Sequence, residues 1–315
     1  MMVSQSLVFV GVDVGKSVCM ASVHGHKGVV KFTPDAAGIA SFLGLLSELE
    51  GEVRVGLEAT GGYESALWEA VEAAGFHVRQ LSPSRVHAYA RSVGRLTKTD
   101  RYDAVTIAAY LAANPEAGRR LPPANVRQIR GLYAKRRQLI EMAKALTCQR
   151  LQTRDPVITA LDDAHMALIA AQIAALEAEA AALIAADPGL AERRRLLRTI
   201  PGIGAITSVT LLAEMPELGA LPTRAAAALA GLAPFARDSG TVSGKRFVQG
   251  GRSAVRGVLY MAALSASSCN PSLKPFAQRL KAAHKPGKLT LTAVARKLVE
   301  TANAVLKRQS DWREI

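Results

Sequence analysis

The chain has 315 residues, of which 49% are hydrophobic and 21% are charged, as in soluble globular proteins large enough to bury two cores. Charged residues interrupt every apolar run, so no membrane-spanning segment is expected, and the first residues lack the basic segment of a signal peptide. The three cysteines lie far apart without CxxC spacing, which argues against a disulfide framework and a zinc site. We therefore expect a cytoplasmic protein with no membrane partner.

The positive charge is concentrated in one part of the sequence. The net charge is +14. Residues 1–120 contain 12 Lys and Arg against 12 Asp and Glu, whereas residues 121–315 contain 28 against 14. An excess of this kind indicates a polyanionic partner such as nucleic acid for the second part. The alternative is a basic surface that is merely solvated.

The N-terminal third alternates between extended and helical patterns. An apolar, β-branched run at 8–14 predicts a buried strand that contains Asp13. The elements predicted after it are strands at 17–23 and 28–33, a helix to about residue 50, a strand at 52–58, a helix at 63–74, a strand at 77–81 and a helix after Pro83. Three strands followed by alternating helices and strands is the order of a ribonuclease-H-like α/β fold.

Four acidic residues fall where such a fold would use them. Asp13 lies within the first strand, where an unpaired carboxylate is costly unless something binds it, and Glu58 ends the fourth strand. Asp100 and Asp103 are three residues apart at the start of a predicted helix, and therefore share one face. Carboxylate oxygens are suitable ligands for two Mg²⁺ ions about 4 Å apart. We predict that the four acids bind divalent metal over a nucleic-acid phosphate.

Each acid also has a simpler interpretation. Asp13 could cap the turn that follows it, and Glu58 could be a solvated strand end. Asp100 and Asp103 could simply complement the positive end of a helix. The four together, at these positions along the fold, favour the metal site.

Two long helices are predicted after a proline-rich linker at about 113–126. The first, at about 126–153, is strongly basic and contains Arg136 and Arg137. The second runs from Pro156 to about residue 186 and is rich in Ala and Leu, which predicts a packing seam rather than a ligand site. Such a pair forms either an antiparallel hairpin or an intermolecular coiled coil. An oligomer, either a dimer or a tetramer, is therefore expected.

The last part of the chain contains two glycine-rich segments. Residues 201–204, Pro-Gly-Ile-Gly, are predicted as the hairpin of a helix-hairpin-helix element, in which Gly202 and Gly204 let backbone N–H groups meet phosphate; a plain tight connection is the alternative. Residues 234–252 form a loop of Gly, Ser and cations suited to gripping a phosphate, followed by a helix from Ser253. A serine there could be a nucleophile, although no neighbouring general base identifies one. The candidate nucleic-acid contacts are Lys98, Arg136, Arg137, Gly202, Gly204, Lys245, Arg246, Arg252 and Arg256.

Six sequence blocks, in order along nearly the whole chain, resemble the DEDD transposases of the IS110 family of insertion sequences. The N-terminal blocks are Val10–Lys16 around Asp13, Leu57–Tyr63 around Glu58, and Lys98–Ala104 around Asp100 and Asp103. The C-terminal blocks are Ile200–Gly204, Gly231–Pro234 through Ser239-Gly240, and Tyr260–Leu264. As a set, and in this order, these blocks are specific to that family.

The resemblance implies three regions of the chain with different roles. It implies a RuvC-like DEDD catalytic domain at 1–120, a coiled-coil and oligomerisation region at 121–190, and a mainly helical transposase domain at 191–315. It implies that Asp13, Glu58, Asp100 and Asp103 act with Mg²⁺ (Mn²⁺ being the substitute) at a site shared with a nucleophilic serine. The serine corresponds to Ser239. Because the segment after it departs from the family's Lys-Arg-Gly-rich pattern, Ser243 is a second candidate.

The resemblance also implies partners: donor and target DNA, a non-coding bridge RNA that pairs with both, and a tetramer of paired dimers. Three other classes of protein compete with this interpretation. A RuvC-type Holliday-junction endonuclease would use the same acids with water as the nucleophile. A sugar-kinase-like or actin-like ATPase shares the Asp-x-Gly-x-Ser pattern at 13–17, but no second phosphate loop follows in the sequence. A purely architectural DNA-binding protein would not need the acids.

Overall fold

A computed structural model describes residues 6–58, 61–94, 100–235, 244 and 246–314, without the side chains of residues 100–102. Several predicted site residues lie outside this part: Lys98, Ser239, Ser243 and Lys245, together with the side chain of Asp100. The chain divides into two compact units, 1–121 and 122–315. The first predicted domain boundary, after residue 120, is one residue from this division.

The first unit is a mixed sheet with helices on both faces. Its strands are β1 (Leu7–Val14), β2 (Cys19–Val23), β3 (Val30–Phe32), β4 (Glu52–Glu58) and β5 (His77–Leu81). Its helices are α1 (Ala36–Ser47), α2 (Ser65–Ala73), α3 (Pro83–Ser92) and α4 (Asp100–Ala113). The strand order is β3-β2-β1-β4-β5, with β2 antiparallel to β1 and β3, and with β1, β4 and β5 parallel. This arrangement is compatible with the predicted ribonuclease-H-like fold.

Two strands and one helix start of this unit were predicted at their observed positions: β4, β5 and the beginning of α4 at Asp100. Strand β2 begins two residues later than predicted. The reason is a tight turn after β1, in which the Gly15 N–H donates to the Val18 carbonyl at 3.0 Å. Those residues therefore belong to the turn rather than to the strand ladder.

The second unit contains eight helices among its described residues. They are α5 (Ala124–Arg150), α6 (Pro156–Ala185), α7 (Pro188–Arg198), α8 (Ala205–Glu214), α9 (Thr223–Leu229), α10 (Ser253–Cys269), α11 (Leu273–Ala282) and α12 (Gly287–Arg308). A short ladder joins β6 (Pro234–Phe235) to β7 (Phe247–Val248). Helices α8, α10 and α12 pack together in one core. Residues of α5 and α6, including Tyr133 and Ile184, join that core, so the base of these two helices is continuous with it.

Helices α5 and α6 form an antiparallel hairpin within one chain. Two ion pairs cross it, Arg136 with Glu177 at 2.5 Å and Arg150 with Asp163 at 2.6 Å. As the residue number rises on α5 it falls on α6, which is the register of antiparallel neighbours. Asp155 caps α6, accepting from the Val157 N–H at 2.8 Å, as an N-cap aspartate ahead of proline should. An intermolecular coiled coil remains a prediction.

One expectation about α6, that charged residues interrupt every long apolar run, was wrong. Its 30 residues have a window of mean hydropathy 1.7, so by length and composition alone the helix is long and apolar enough to cross a membrane. The acids of the helix lie in two pairs, Asp162 with Asp163 and Glu177 with Glu179, and the Ala-rich residues 164–176 between them contain no Asp, Glu, Lys or Arg. The helix ends at Ala185, close to the predicted end at about residue 186, and Asp187 caps the next helix by accepting from the N–H groups of Gly189 and Leu190.

Candidate active site

The register of the parallel strands places two of the four acids side by side. Val12 on β1 is paired with Leu57 on β4. Asp13, the last residue but one of β1, and Glu58, the last residue of β4, therefore lie side by side near the ends of the two neighbouring strands. Successive side chains of a strand point to opposite faces. Val12 and Leu57 are buried in the core that α1 and α2 cover. Asp13 and Glu58 therefore share the opposite face, at the carboxyl ends of the strands.

Helix α4 covers that opposite face. A Cβ atom at Gly11 would overlap the helix backbone, including the carbonyl carbon of Ile107 at 2.8 Å. Phe9, one strand step earlier, packs against the cluster that contains Tyr110 and Leu111, further along the helix. Helix α4 consequently runs antiparallel to β1, and its N-terminal turn, with Asp103, lies towards the strand end that contains Asp13.

The structure therefore brings Asp13, Glu58 and Asp103 to one end of the sheet. Each of the three interacts with another group of the protein. Among the side chains that the structure describes, no three His, Cys, Asp or Glu residues form a cluster that could hold a metal ion. Asp100 precedes Asp103 by one turn on α4, but its side chain is outside the described part.

The buried thiol of Cys19 lies close enough to Asp13 for the carboxylate charge to affect the pKa of the thiol. Burial raises the pKa of this thiol, a backbone hydrogen bond at Gly15 works in the opposite direction, and the negative charge of Asp13 raises the pKa further. Cys19 is paired with Val14 across β1 and β2 and is fully buried. The thiol is therefore kept protonated beside the acids.

A buried polar network that sequence reasoning missed supports the segment after Glu58. The Glu64 carboxylate is only 6% exposed; it accepts from the Gly62 N–H at 3.0 Å and from the Gln80 amide at 2.5 Å. The Nε–H of Arg119 donates to Gln80 in turn, and Arg119 lies over the Trp68 ring. A buried carboxylate needs such partners, and the network ties the turn after β4 to β5. No motif marks it, because its members are 16 and 39 residues apart.

The candidate nucleic-acid contacts on α5 are engaged within the protein. Arg136 pairs with Glu177, with 14% of its side chain exposed. Arg137 contacts the buried carboxylate of Glu214 at 3.3 Å, and Arg130 contacts the same carboxylate at 2.8 Å. These contacts join α5 to α6 and α8. The part of each cation that faces solvent is therefore smaller than the sequence suggests.

Several candidate nucleic-acid contacts in the C-terminal part also hydrogen-bond or pack within the protein. Arg252 donates both Nη groups to the Glu217 carboxylate, at 2.7 and 2.8 Å, and Arg256 donates to the Gly250 carbonyl at 2.6 Å. Gly202 has a φ of +103°, and a Cβ there would lie 2.6 Å from the Cβ of Ala266, so this glycine permits close packing on α10. Gly204 is the N-cap of α8. Arg246 is exposed.

The chain is similar in sequence to known transposases and to proteins named for gene inversion. Residues 10–154 match a family model described as a transposase, of the DEDD type of IS110, and residues 194–278 match the model of the transposase IS116/IS110/IS902 family. The pilin gene-inverting proteins of Moraxella bovis and Moraxella lacunata are each 29% identical over 257 residues, 80% of this chain and 79% of theirs. An insertion element IS110 protein of Streptomyces coelicolor, of 43.6 kDa, is 30% identical over 135 residues, 42% of this chain and 32% of its own.

These matches define the class of protein. An acid-bearing α/β unit of DEDD type followed by a basic helical unit is a DNA transposase or recombinase, and its substrate is DNA. The chain belongs to the IS110 family of transposases. The DEDD type of the first matched segment further indicates dependence on a divalent metal.

Proposed function

We propose that the chain excises and inserts a mobile element by cutting and rejoining donor and target DNA through transesterification. The observation that carries the proposal is the placement of Asp13 and Glu58 on one face at the ends of neighbouring strands, with the start of α4 and Asp103 directed to the same end. Asp100, one turn before Asp103, completes the proposed set. The expected location is the cytoplasm, at the nucleoid.

The carboxylate donors fit a hard divalent cation, Mg²⁺ or Mn²⁺. Asp13, Glu58, Asp100 and Asp103 would hold it, and when bound it stabilises negative charge on the oxygens of the phosphodiester. The chain's own nucleophile is the hydroxyl of Ser239, with Ser243 as the second candidate. The bond from the serine oxygen to phosphorus would form as the bond from phosphorus to one DNA oxygen breaks. The serine hydroxyl loses a proton and the leaving DNA oxygen gains one, so the phosphodiester is kept as a link to protein and can be passed to a new DNA end.

Guidance and assembly extend the same proposal. A non-coding bridge RNA from the element would pair with donor and target DNA, and two dimers would form a tetramer around them. The relatives from Moraxella are named for inverting a gene. Inversion requires that DNA ends be cut and rejoined without loss, which suits a transient covalent link to protein. The chief alternative is a RuvC-type Holliday-junction endonuclease, in which metal-activated water cuts and no link forms.

The trapping of a protein–DNA adduct tests the nucleophile. Purified protein with Mg²⁺, element-derived RNA and labelled donor and target DNA should give an adduct that survives denaturation. We expect Ser239→Ala to abolish the adduct and Ser243→Ala to leave it, because a missing nucleophile cannot be replaced by binding energy. The Ser243→Ala chain is the matched control, since it removes a serine hydroxyl four residues further along the sequence.

Two other results would assign the nucleophile differently. An adduct lost only in Ser243→Ala would move the nucleophile to that residue. DNA cleavage that continues without any adduct, and that neither substitution affects, would contradict the serine mechanism and leave the junction endonuclease.

Self-association is expected to use the outer face of α6. Val157, Leu161 and Leu168 are four and seven residues apart along one face and are 68%, 67% and 55% exposed. The three residues span about 17 Å of this 30-residue helix, and large apolar side chains that are exposed together mark an interface in a protein. We predict that Leu161→Glu with Leu168→Glu raises the dimer dissociation constant about a hundred-fold or more.

Sedimentation equilibrium measures this constant. The control is Leu45→Glu on α1, which places a charge on another exposed leucine, 38% exposed. If the double variant sediments like the unmodified chain, the hairpin is not the interface.

A further inference from the structure

Part of the positive charge that the described residues of the second unit leave without an ion pair lies away from the residues that sequence patterns single out. Residues 239–299 contain 11 Lys and Arg and no Asp or Glu. Several of these cations are engaged inside the protein: Arg252 with Glu217, and Arg296 and Lys297 with Glu300. The charge left for an external partner must therefore come from the others.

Three of the other eight cations lie where α11 meets α12, and a fourth, Lys274, lies further back on α11. We define the α11–α12 corner as Lys281, His284, Lys285 and Lys288, all of which are exposed, as is Lys274. Lys274 and Lys281 are seven residues apart and share one face of α11. Within the described ranges of the chain, none of the four lysines forms an ion pair. Four cations without partners carry a local excess charge that only an outside anion can neutralise.

The corner is a fixed turn rather than a loose loop. The Lys285 N–H donates to the Leu280 carbonyl at 3.1 Å and the His284 N–H donates to the Lys281 carbonyl at 2.9 Å, which is the Schellman pattern of a helix end. His284 occupies the left-handed position of that motif, with a φ of +52°, where glycine is usual. The lysines on either side of the turn are therefore held at a defined separation.

The start of α12 adds a second feature that favours anions. Its N-cap is Pro286, no side chain caps its first turn, and that turn contains no acid. The positive end of a 22-residue helix consequently faces the same corner as Lys285 and Lys288. Backbone N–H groups at a helix start and flexible ammonium groups are the usual ligands of phosphate in nucleic-acid complexes.

We propose that the α11–α12 corner binds the phosphate backbone of the DNA duplex on which the enzyme acts, without reading its sequence. Lysine is a point charge that tolerates variation in backbone position, and the nearby guanidinium of Arg279 lies over the Phe276 ring. DNA is the partner favoured here because the family's substrate is DNA. The inference deepens the proposed function by naming a surface that holds the substrate outside the acidic site.

The salt dependence of DNA binding tests the corner. The full chain is titrated without Mg²⁺ into a duplex of unrelated sequence at several salt concentrations. We expect Lys281→Gln, Lys285→Gln and Lys288→Gln together to make the slope of log Kobs against log salt shallower by about 2.7, since each lost phosphate contact contributes about 0.9. The ratio of the DNA-binding constant of the unmodified chain to that of the triple variant should therefore fall about forty-fold between roughly 50 and 200 mM salt.

The matched control removes the same charge from the other end of the same helix. Lys307→Gln, Arg308→Gln and Arg313→Gln act on exposed cations about 28 Å from Lys288 along α12, well beyond the screening length at these salt concentrations. Its slope should match that of the unmodified chain. Replacing the three corner lysines by arginine should restore the slope, which separates lost charge from a damaged fold.

Two outcomes would overturn the proposal. Equal loss of slope in the corner and control variants would show only a general effect of net charge. A corner variant that binds duplex DNA normally but binds a structured RNA more weakly would assign the surface to RNA. Because neither metal nor the serine is needed for this measurement, its failure is distinct from failure of the proposed cleavage mechanism.

Discussion

Replacing Asp13 by Asn is expected to lower DNA cleavage and joining by on the order of a thousand-fold, or about 4 kcal/mol of transition-state stabilisation. The amide keeps the shape of the side chain but loses the charge with which a hard cation is bound. The Asp13 carboxylate lies on the α4 face at the end of a central strand, next to Glu58. Glu58→Gln and Asp103→Asn should have effects in the same direction.

The fold should survive these changes. A carboxylate placed near other acids destabilises the folded chain until a cation binds, so we expect the thermal midpoint of Asp13→Asn to be unchanged or higher. The adduct assay measures activity and a thermal melt measures stability. A variant that keeps full adduct formation at saturating Mg²⁺ would remove Asp13 from the proposed site.

Asp35→Asn is the control for the same chemical change. Asp35 is the N-cap of α1 and accepts from the Gly38 N–H at 2.8 Å, and asparagine caps helices about as well as aspartate. Hydrogen bonds from the Gly38 N–H and the Thr33 hydroxyl lower the pKa of Asp35. This substitution should therefore leave DNA cleavage and joining unchanged, so that a loss seen only at Asp13 belongs to the site.

The parts of the fold set by local pattern could be predicted from the sequence. The apolar alternation along the chain predicts strands β4 and β5 where they are observed, and Pro83 predicts the start of α3. The acids at strand ends could be predicted for the same reason, because strand register follows from the core residues Val12 and Leu57.

What depends on distant partners could not be predicted. Arg252 looks like a phosphate ligand in a Gly-rich loop, yet its carboxylate partner is Glu217, 35 residues earlier. Arg136 likewise meets Glu177 across the hairpin, 41 residues away. A cation is available to nucleic acid only when the folded chain leaves it without such a partner, and no local pattern reports that. For the same reason, no local pattern marks the exposed lysines of the α11–α12 corner as available to nucleic acid.

The close approach of α4 to β1 is expected to make Gly11 intolerant of any side chain. In Gly11→Val the added atoms would overlap the backbone of Ala104, Ile107 and Ala108. Backbone cannot move aside as a flexible side chain can, so we expect a loss of about 3 kcal/mol or more in the free energy of unfolding of the first unit. Helix α4 should also shift, which would displace Asp103 from the strand ends.

Gly44→Ala in α1 is the matched control, because a Cβ there meets no atom within 4 Å. Alanine favours the helix, so this change should raise stability by about 0.5 to 1 kcal/mol. Denaturant unfolding of the first unit measures the stability of both variants. The adduct assay, done under conditions in which that unit is folded, tests the site. A Gly11→Val chain that unfolds like the unmodified one would contradict the packing of α4 on β1. A chain that remains folded but loses the adduct would show that the helix position, and not only its presence, brings the acids together.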